Sequence, residues 1–331
     1  MKRTGLLIET REGAIKPGLY GPMATAKEQG TELVALLIDE NPQAHRDKLR
    51  ACGVDTVVSI AIKGCRKGYH PYRWAGSIVA AMKRFEIATL LGLSTSRGRT
   101  LLPMIASELD APLAMDCLSV DLNRNIAEKP LYSGKAIAKL QLRGTHFIYG
   151  MAPSSGEPVP LPASASCRSV PFEYRAEERS GYRYVGEISG AEGGPDLSEA
   201  EAIVSGGRGL GSGENFDVLR DCARALNASV GASRTAVDSG WVPYRMQVGQ
   251  TGAKVSPKVY IACGISGSVQ HFAGMKRSGL IVAINSDENA AISSNCDYFV
   301  NEDLFAIVPL LTQKLKKLRN SSRSEPDNGT G

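Results

Sequence analysis

Apolar residues in this chain come in short unbroken runs, separated by stretches where they recur every three or four positions. "GLLIET" (5–10), "ELVALLI" (32–38), "VDTVVSI" (54–60) and "EIATLLGL" (86–93) are rich in Val, Ile and Leu. Runs without polar alternation suit strands covered on both faces, as in a parallel sheet. Between them, "HPYRWAGSIVAAMKRF" (70–85) and "RTLLPMIASEL" (99–109) carry apolar residues at helical spacing. Pro71 suits the start of the first of these helices, and Pro103 is expected in the first turn of the second. Strand and helix alternating in this way predict an α/β domain built from βαβ crossovers.

From "APLAMDCLSVDL" (111–122) to about residue 190 the pattern changes. "KAIAKLQL" (135–142) and "THFIYG" (145–150) read as strands, "SSGEPVPLPASAS" (154–166) as loop, and "FEYRAEERSGYRYVGEI" (172–188) alternates unevenly. The segment is expected to extend the first half, antiparallel at an edge. "SGAEGGPDLSEA" (189–200) then breaks the chain with Gly, Pro and Asp and offers a helix cap. This places a first domain at 1–190 and a second at 191–318.

In the second half, strands are predicted at "EAIVSG" (201–206), "SVGAS" (229–233), "KVYIACG" (258–264), "LIVAIN" (280–285) and "YFV" (298–300). Helices are predicted at "NFDVLRDCARAL" (215–226), from 268, and at "DLFAIVPLLTQKL" (303–315). The whole is therefore expected as two α/β domains, the second a doubly wound parallel sheet. Residues 319–331 are polar and expected to form a short disordered tail.

Composition narrows the field. A length of 331 residues suits two domains, and 43% hydrophobic against 22% charged residues suits packed cores. The net charge of +5 is spread out, and the basic groups at 63–73 and 314–319 are short and lack interleaved aromatics. That argues against a nucleic-acid partner. The seven cysteines include no C-x-x-C pair, which argues against a zinc site, an iron–sulfur cluster and a disulfide framework. "MKRTGLLIET" enters a strand at once. No signal, transit or membrane segment is expected, and the chain is placed in a bacterial or archaeal cytoplasm.

In a doubly wound sheet, ligands bind beyond the carboxyl ends of the strands. The segments following the strands of the second half are "GGRGLGSGENF" (206–216), "ASRTAVDSG" (232–240) with "MQVGQTG" (246–252), "GISGSVQH" (264–271) and "NSDENA" (285–290). All are rich in glycine, small hydroxyls, amides or arginine. Each alone is an ordinary turn, and none fits the G-x-G-x-x-G or P-loop spacing. Together at one edge they point to a nucleotide or dinucleotide. Arg234 stands at a strand end, where it either serves that site or pairs with Asp238. His271 lacks a partner at i+3 or i+4 for a metal. A triad with Ser266 and Asp303 is formally available, but nothing in the spacing fixes it.

"VYIACGISGSVQHFAGMKRSGLIVAIN" (259–285) resembles the signature of electron-transfer flavoprotein α subunits. "VSGGRGLGSGENF", "VGASRTAVDSGWVP" and "QVGQTG" are similar to that family in order and spacing, so the likeness runs nearly unbroken from 203 to 315. "TSRGRTLLPMIASELDAPLAMD" (95–116) resembles its first domain more loosely. The resemblance implies FAD held by the second half, with an α/β first half that does not bind it. It implies flavin-contacting positions at Arg208, Ser233, Gln250, Thr251, Ser266, Gln270, His271, Asn285, Asp303 and Leu304, flanked by Val248 and Gly249. Gly267, Ser268 and Val269 complete the run from 266 to 271, and Arg234 matches the arginine lying against the isoalloxazine.

The chemistry suits those roles. Reduction gathers negative charge near N1 and the C2 carbonyl, where a cation at Arg234 and a donor at His271 would stabilise it and raise the potential. His271 is thereby expected to tune the flavin rather than act as a base. Hydroxyls at Ser266 and Thr251 suit the pyrophosphate, the ribityl chain and the flavin edge, and Asn285 and Asp303 the adenosine end. The resemblance also implies a smaller β subunit as partner, carrying AMP or a second FAD. It implies acyl-CoA dehydrogenase donors of fatty acid β-oxidation and a quinone-reductase acceptor. The chain is expected to be an electron carrier without substrate turnover of its own. The alternative is a subunit of a flavin-bifurcating, NADH-linked complex. The chain lacks the cysteine-rich extension of some relatives, so no iron–sulfur relay is expected.

Overall fold

The apolar runs of the first half become strands of a seven-stranded sheet, and those of the second half a five-stranded one. The computed structural model describes residues 2–11, 13–64, 68–132, 136–153, 166–176, 185–186, 197 and 200–321. Two units divide the chain, Met1–Ser189 and Gly190–Gly331.

The first unit opens with β1 (Arg3–Leu7), a small hairpin of β2 (Thr10–Arg11) and β3 (Ala14–Ile15), and α1 (Tyr20–Glu28). Next come β4 (Glu32–Ile38), α2 (Arg46–Ala51), β5 (Thr56–Lys63), α3 (Pro71–Arg84), β6 (Thr89–Leu93) and α4 (Ser96–Glu108). The strands β7 (Leu113–Cys117), β8 (Ser119–Asp121), β9 (Ile126–Leu131), β10 (Ala136–Gln141), β11 (Phe147–Met151) and β12 (Arg168–Arg175) complete it. The main sheet is ordered β12-β5-β4-β1-β6-β11-β7, all parallel, and β8, β9 and β10 form a separate antiparallel sheet.

Residues 111–190 therefore depart in part from the expectation of an antiparallel edge. The antiparallel character is confined to 119–141, whereas β11 lies inside the parallel sheet and β12 runs parallel to β5 from Arg168↔Thr56 to Arg175↔Lys63. An edge strand alternates in burial whichever way it runs, so the pattern of 168–175 carried no direction, and the long connection before it leaves room for a crossover. Pro103 also differs: it lies inside α4, past the first turn. That helix starts earlier than expected because Thr95 caps it, its hydroxyl accepting from Gly98 N at 3.1 Å. Pro71 opens α3 as expected. The loop expected at 154–166 and the uneven stretch at 172–188 fall largely outside the described residues.

Successive residues of β4 enter opposite cores. Leu33, Ala35 and Leu37 join one cluster, and Val34, Leu36 and Ile38 the other. Both faces are covered, which is why the run shows no polar alternation. At the carboxyl end of β1, Glu9 is 1% exposed. Its carboxylate accepts from the Thr95 hydroxyl at 2.8 Å and meets Lys16 Nζ at 3.0 Å. This cluster sits where the strand order reverses, between β1 and β6.

The second unit contains β13 (Ala202–Gly206), α5 (Phe216–Leu226), β14 (Ser229–Ala232) and α6 (Arg234–Asp238). It continues with β15 (Val259–Cys263), α7 (Val269–Met275), β16 (Leu280–Ile284), β17 (Tyr298–Val300) and α8 (Leu304–Ser321). Its sheet is parallel and ordered β14-β13-β15-β16-β17. Val204, Ile261 and Cys263 pack on one side, Ile203, Tyr260 and Ala262 on the other. The short helix α6 was not anticipated. The helix start expected near 197 has no described counterpart, and most of its residues, like the tail from 322, lie outside the described ones. Among the described residues no helix is long and apolar enough to cross a membrane.

Candidate functional site

In the second unit the strand order reverses between β13 and β15, and the loops leaving these strands are laced together. Gly207 N donates to Cys263 O at 2.9 Å and Gly209 N to Gly264 O at 3.0 Å. A Cβ on Gly209 would lie 2.7 Å from the Gly264 Cα, and Gly264 itself has φ +60°. Only glycines permit that approach. The next loop is tied in by Ser233 N to Gly206 O at 2.9 Å and Gln250 N to Gln270 O at 2.8 Å.

These loops enclose a cleft of about 620 Å³, within the roughly 300–1,000 Å³ of small-molecule sites. Of the positions singled out in the sequence, Arg208, Ser233, Arg234, Val248, Gly249, Gln250, Thr251, Ser266, Gly267, Ser268, Gln270, His271 and Asn285 line it. Three do not. Val269 is 66% exposed beside the cleft, and Leu304 is buried in the core with Leu210 and Phe216. The exposed Asp303 accepts at Oδ1 from Phe305 N at 2.9 Å, at the start of α8. Gly209, Thr235, Asp238, Gln247, Gly264, Ile265 and Asp287 also line the cleft and were not singled out. All lie within the glycine- and amide-rich segments already marked. What was missing was the selection within each segment, which depends on which way each side chain turns.

Several wall residues are held by local bonds. Ser233 and Ser268 cap α6 and α7, their hydroxyls accepting from Ala236 N and His271 N, each at 3.4 Å. The Asn285 amide donates to Ile265 O at 3.0 Å and its carbonyl accepts from Asp287 N at 3.0 Å, bracing two loops. The buried Gln247 donates to the Thr251 hydroxyl at 3.0 Å, which orients that hydroxyl. Arg234 pairs with Asp238 at 3.1 Å, one helical turn on, and both remain more than half exposed. The two readings of Arg234 are thus compatible: the ion pair forms, and it forms on the cleft wall.

His271 lines the cleft from α7 but is only 5% exposed. Its Nε2 lies 3.1 Å from the Tyr260 hydroxyl, and its Nδ1 is buried without a hydrogen-bond partner. Burial pushes its pKa down to about 4, which the nearby Val248 carbonyl only partly opposes. The ring is therefore neutral near pH 7. Its polar partner is Tyr260 and neither Ser266 nor Asp303, so no triad forms. Among the described residues no group of three His, Cys, Asp or Glu side chains is placed to hold a metal. Cys263 is fully buried and burial pushes its thiol pKa up, which makes it inert.

Comparison with known proteins follows the same division of the chain. Residues 4–176 match the model of the electron transfer flavoprotein domain, and residues 196–276 match that of the electron transfer flavoprotein FAD-binding domain. A Caenorhabditis elegans protein described as probable electron transfer flavoprotein subunit alpha, mitochondrial, is 35% identical over 315 residues, covering 95% of this chain and 94% of its own.

This chain belongs to the electron-transfer flavoprotein α-subunit family.

The electron transfer flavoprotein subunit alpha of Syntrophomonas wolfei is 32% identical, covering 96% of this chain and 100% of its own. That of Bacillus subtilis is 33% identical, covering 96% and 98%. The stretch of this electron-transfer flavoprotein α subunit that matches the FAD-binding domain, 196–276, carries most of the residues that line the cleft.

Proposed function

We propose that the cleft of the second unit holds FAD, and that the chain carries one or two electrons as the α subunit of a heterodimer with a smaller β subunit. The observation that carries this reading is the convergence of thirteen of the sixteen singled-out residues on one cleft wall. The donor set fits such a group. Arg208 and Arg234 supply cations and Ser233, Thr251, Ser266 and Ser268 hydroxyls; Asn285 has the amide expected for the adenosine end, and on the cleft wall Asp287 offers the carboxylate that was expected of Asp303. The buried Nδ1 of His271 is a further polar atom that meets no partner in hydrogen-bond geometry among the described residues, the Val248 carbonyl beside the ring being out of line.

FAD, when bound, supplies reversible one- and two-electron chemistry. The chain's own residues bind, orient and bias it. Arg234 places positive charge on the wall, Gln247 turns the Thr251 hydroxyl, and the glycine lacing lets backbone amides approach closely. Membership of the electron-transfer flavoprotein α-subunit family supports a carrier over an enzyme with its own substrate. Dehydrogenases of the acyl-CoA type, in fatty acid β-oxidation, are the proposed donors, and a quinone reductase the proposed acceptor.

The test is co-expression with the neighbouring small-subunit gene, followed by release and quantification of cofactors. One FAD and one AMP per heterodimer supports the ordinary carrier. Two FAD per heterodimer points to an electron-bifurcating complex and makes NADH the next donor to try. An intact heterodimer without flavin overturns the reading.

A further inference from the structure

Behind the cleft wall, Tyr260 of β15 reaches the imidazole of His271 on α7. Their ring centroids lie 6.1 Å apart at 61°, with the hydroxyl 3.1 Å from Nε2. Tyr260 is fully buried and His271 nearly so. A neutral imidazole has one N–H donor and one nitrogen acceptor, so the shared contact admits two arrangements. In one, the phenol donates to Nε2 and the ring proton resides on Nδ1. In the other, Nε2–H donates to the phenol oxygen, and the phenol proton must find another acceptor.

The surroundings favour the first. The other polar neighbour of the phenol, the fully buried Ser205 hydroxyl on β13, lies beside it but out of good hydrogen-bond alignment, whereas Nε2 stands at 3.1 Å. A phenol proton aimed at Ser205 would exchange the well-placed imidazole nitrogen for a poorly aligned acceptor, which is costly in a buried site. The Val248 carbonyl beside the imidazole favours a proton on the ring, although it does not meet Nδ1 in hydrogen-bond geometry. With Nε2 occupied by the phenol, that proton belongs on Nδ1.

We propose that Tyr260 is a positioning residue of the cofactor cleft: its hydroxyl donates to Nε2 and holds His271 as the tautomer protonated on Nδ1. The tautomer is then set by the protein before any ligand arrives, and the ring cannot turn over without losing its bond to the sheet. The role toward the cofactor rests on the FAD reading; the tautomer itself does not.

The experiment is long-range proton–nitrogen NMR on the ¹⁵N-histidine-labelled full chain, purified with its partner and its bound cofactor, and again after the cofactor is removed. His271 resonances are assigned by their loss in His271→Gln. The expected wild-type spectrum shows Nε2 unprotonated and Nδ1 protonated in both states. A proton on Nε2 in the cofactor-free protein overturns the proposal. Tyr260→Phe keeps the ring and removes the donor, and is expected to shift the tautomer ratio toward Nε2–H by roughly tenfold, the equivalent of about 1.4 kcal/mol. FAD release from the same variant should be faster, whereas an unchanged tautomer ratio also overturns the assignment. If the purified complex holds no flavin, the functional reading fails, and the spectrum still decides the tautomer.

Discussion

At the scale of single residues, charge and protonation on the cleft wall make separable predictions. Arg234 is exposed and paired, so its field at a bound flavin is attenuated by solvent and by Asp238. Arg234→Ala is expected to leave the fold intact and lower the flavin reduction potential by about 60 mV, a tenfold step in a one-electron equilibrium. Asp238→Asn removes the opposing charge and should move the potential upward; spectroelectrochemical titration measures both. A fall in the Asp238 variant would mean that the carboxylate acts mainly by positioning the arginine. His271 predicts a pH dependence of stability. Its folded pKa of about 4 lies below the ordinary value of 6.5. Between these values the unfolded chain binds more protons than the folded one, so stability falls as pH drops through this window. The full loss is about 3 kcal/mol. Equilibrium denaturation from pH 7 to pH 4 should show that slope flattened in His271→Gln, and an unchanged slope would place the acid sensitivity elsewhere.

At the scale of elements, the turn between β15 and α7 depends on backbone rather than side chains. Gly267 has φ +79°, and a Cβ there would lie 2.6 Å from the Ile292 backbone. Gly267→Ala therefore meets both a disfavoured conformation and a clash that no side-chain rotation relieves. It is expected to destabilise the second unit by about 2–3 kcal/mol and to lose bound flavin. Thermal unfolding and flavin absorbance check this; retention of both would show that the turn can shift. The same elements show what was legible in the sequence. Buried strands such as 32–38 declared themselves, because covering on both faces demands an unbroken apolar run. Strand direction at 168–175 did not, because edge alternation is the same for either sense. The helix at 234–238 is too short to show a period and exists because Ser233 caps it. In the cleft, the glycine- and amide-rich loops were visible. The inward turn of Gln247 toward Thr251 was not, and neither were the outward turn of Val269 and the burial of Leu304, since these depend on tertiary packing.

At the scale of the whole molecule, two parallel sheets each reverse their strand order, so each offers a crevice beyond its carboxyl ends. The second is open and lined with donors. The first is filled by Glu9, Lys16 and Thr95. Glu9→Ala takes the buried carboxylate away from both Lys16 and the Thr95 hydroxyl and should cost about 1–3 kcal/mol, seen as a lowered unfolding midpoint of the transition reporting on the first unit. A midpoint within one degree of the parent would mean that water replaces the carboxylate without loss. Lys16 behaves as a ligand tethered a few residues from its own receptor. A short tether of this kind holds its end at an effective concentration in the millimolar range or above. Any free amine or nucleotide reaching that crevice must displace a competitor that never diffuses away. Among the described residues, the crevice at the strand reversal of the second sheet stands open, and that of the first already holds the chain's own lysine.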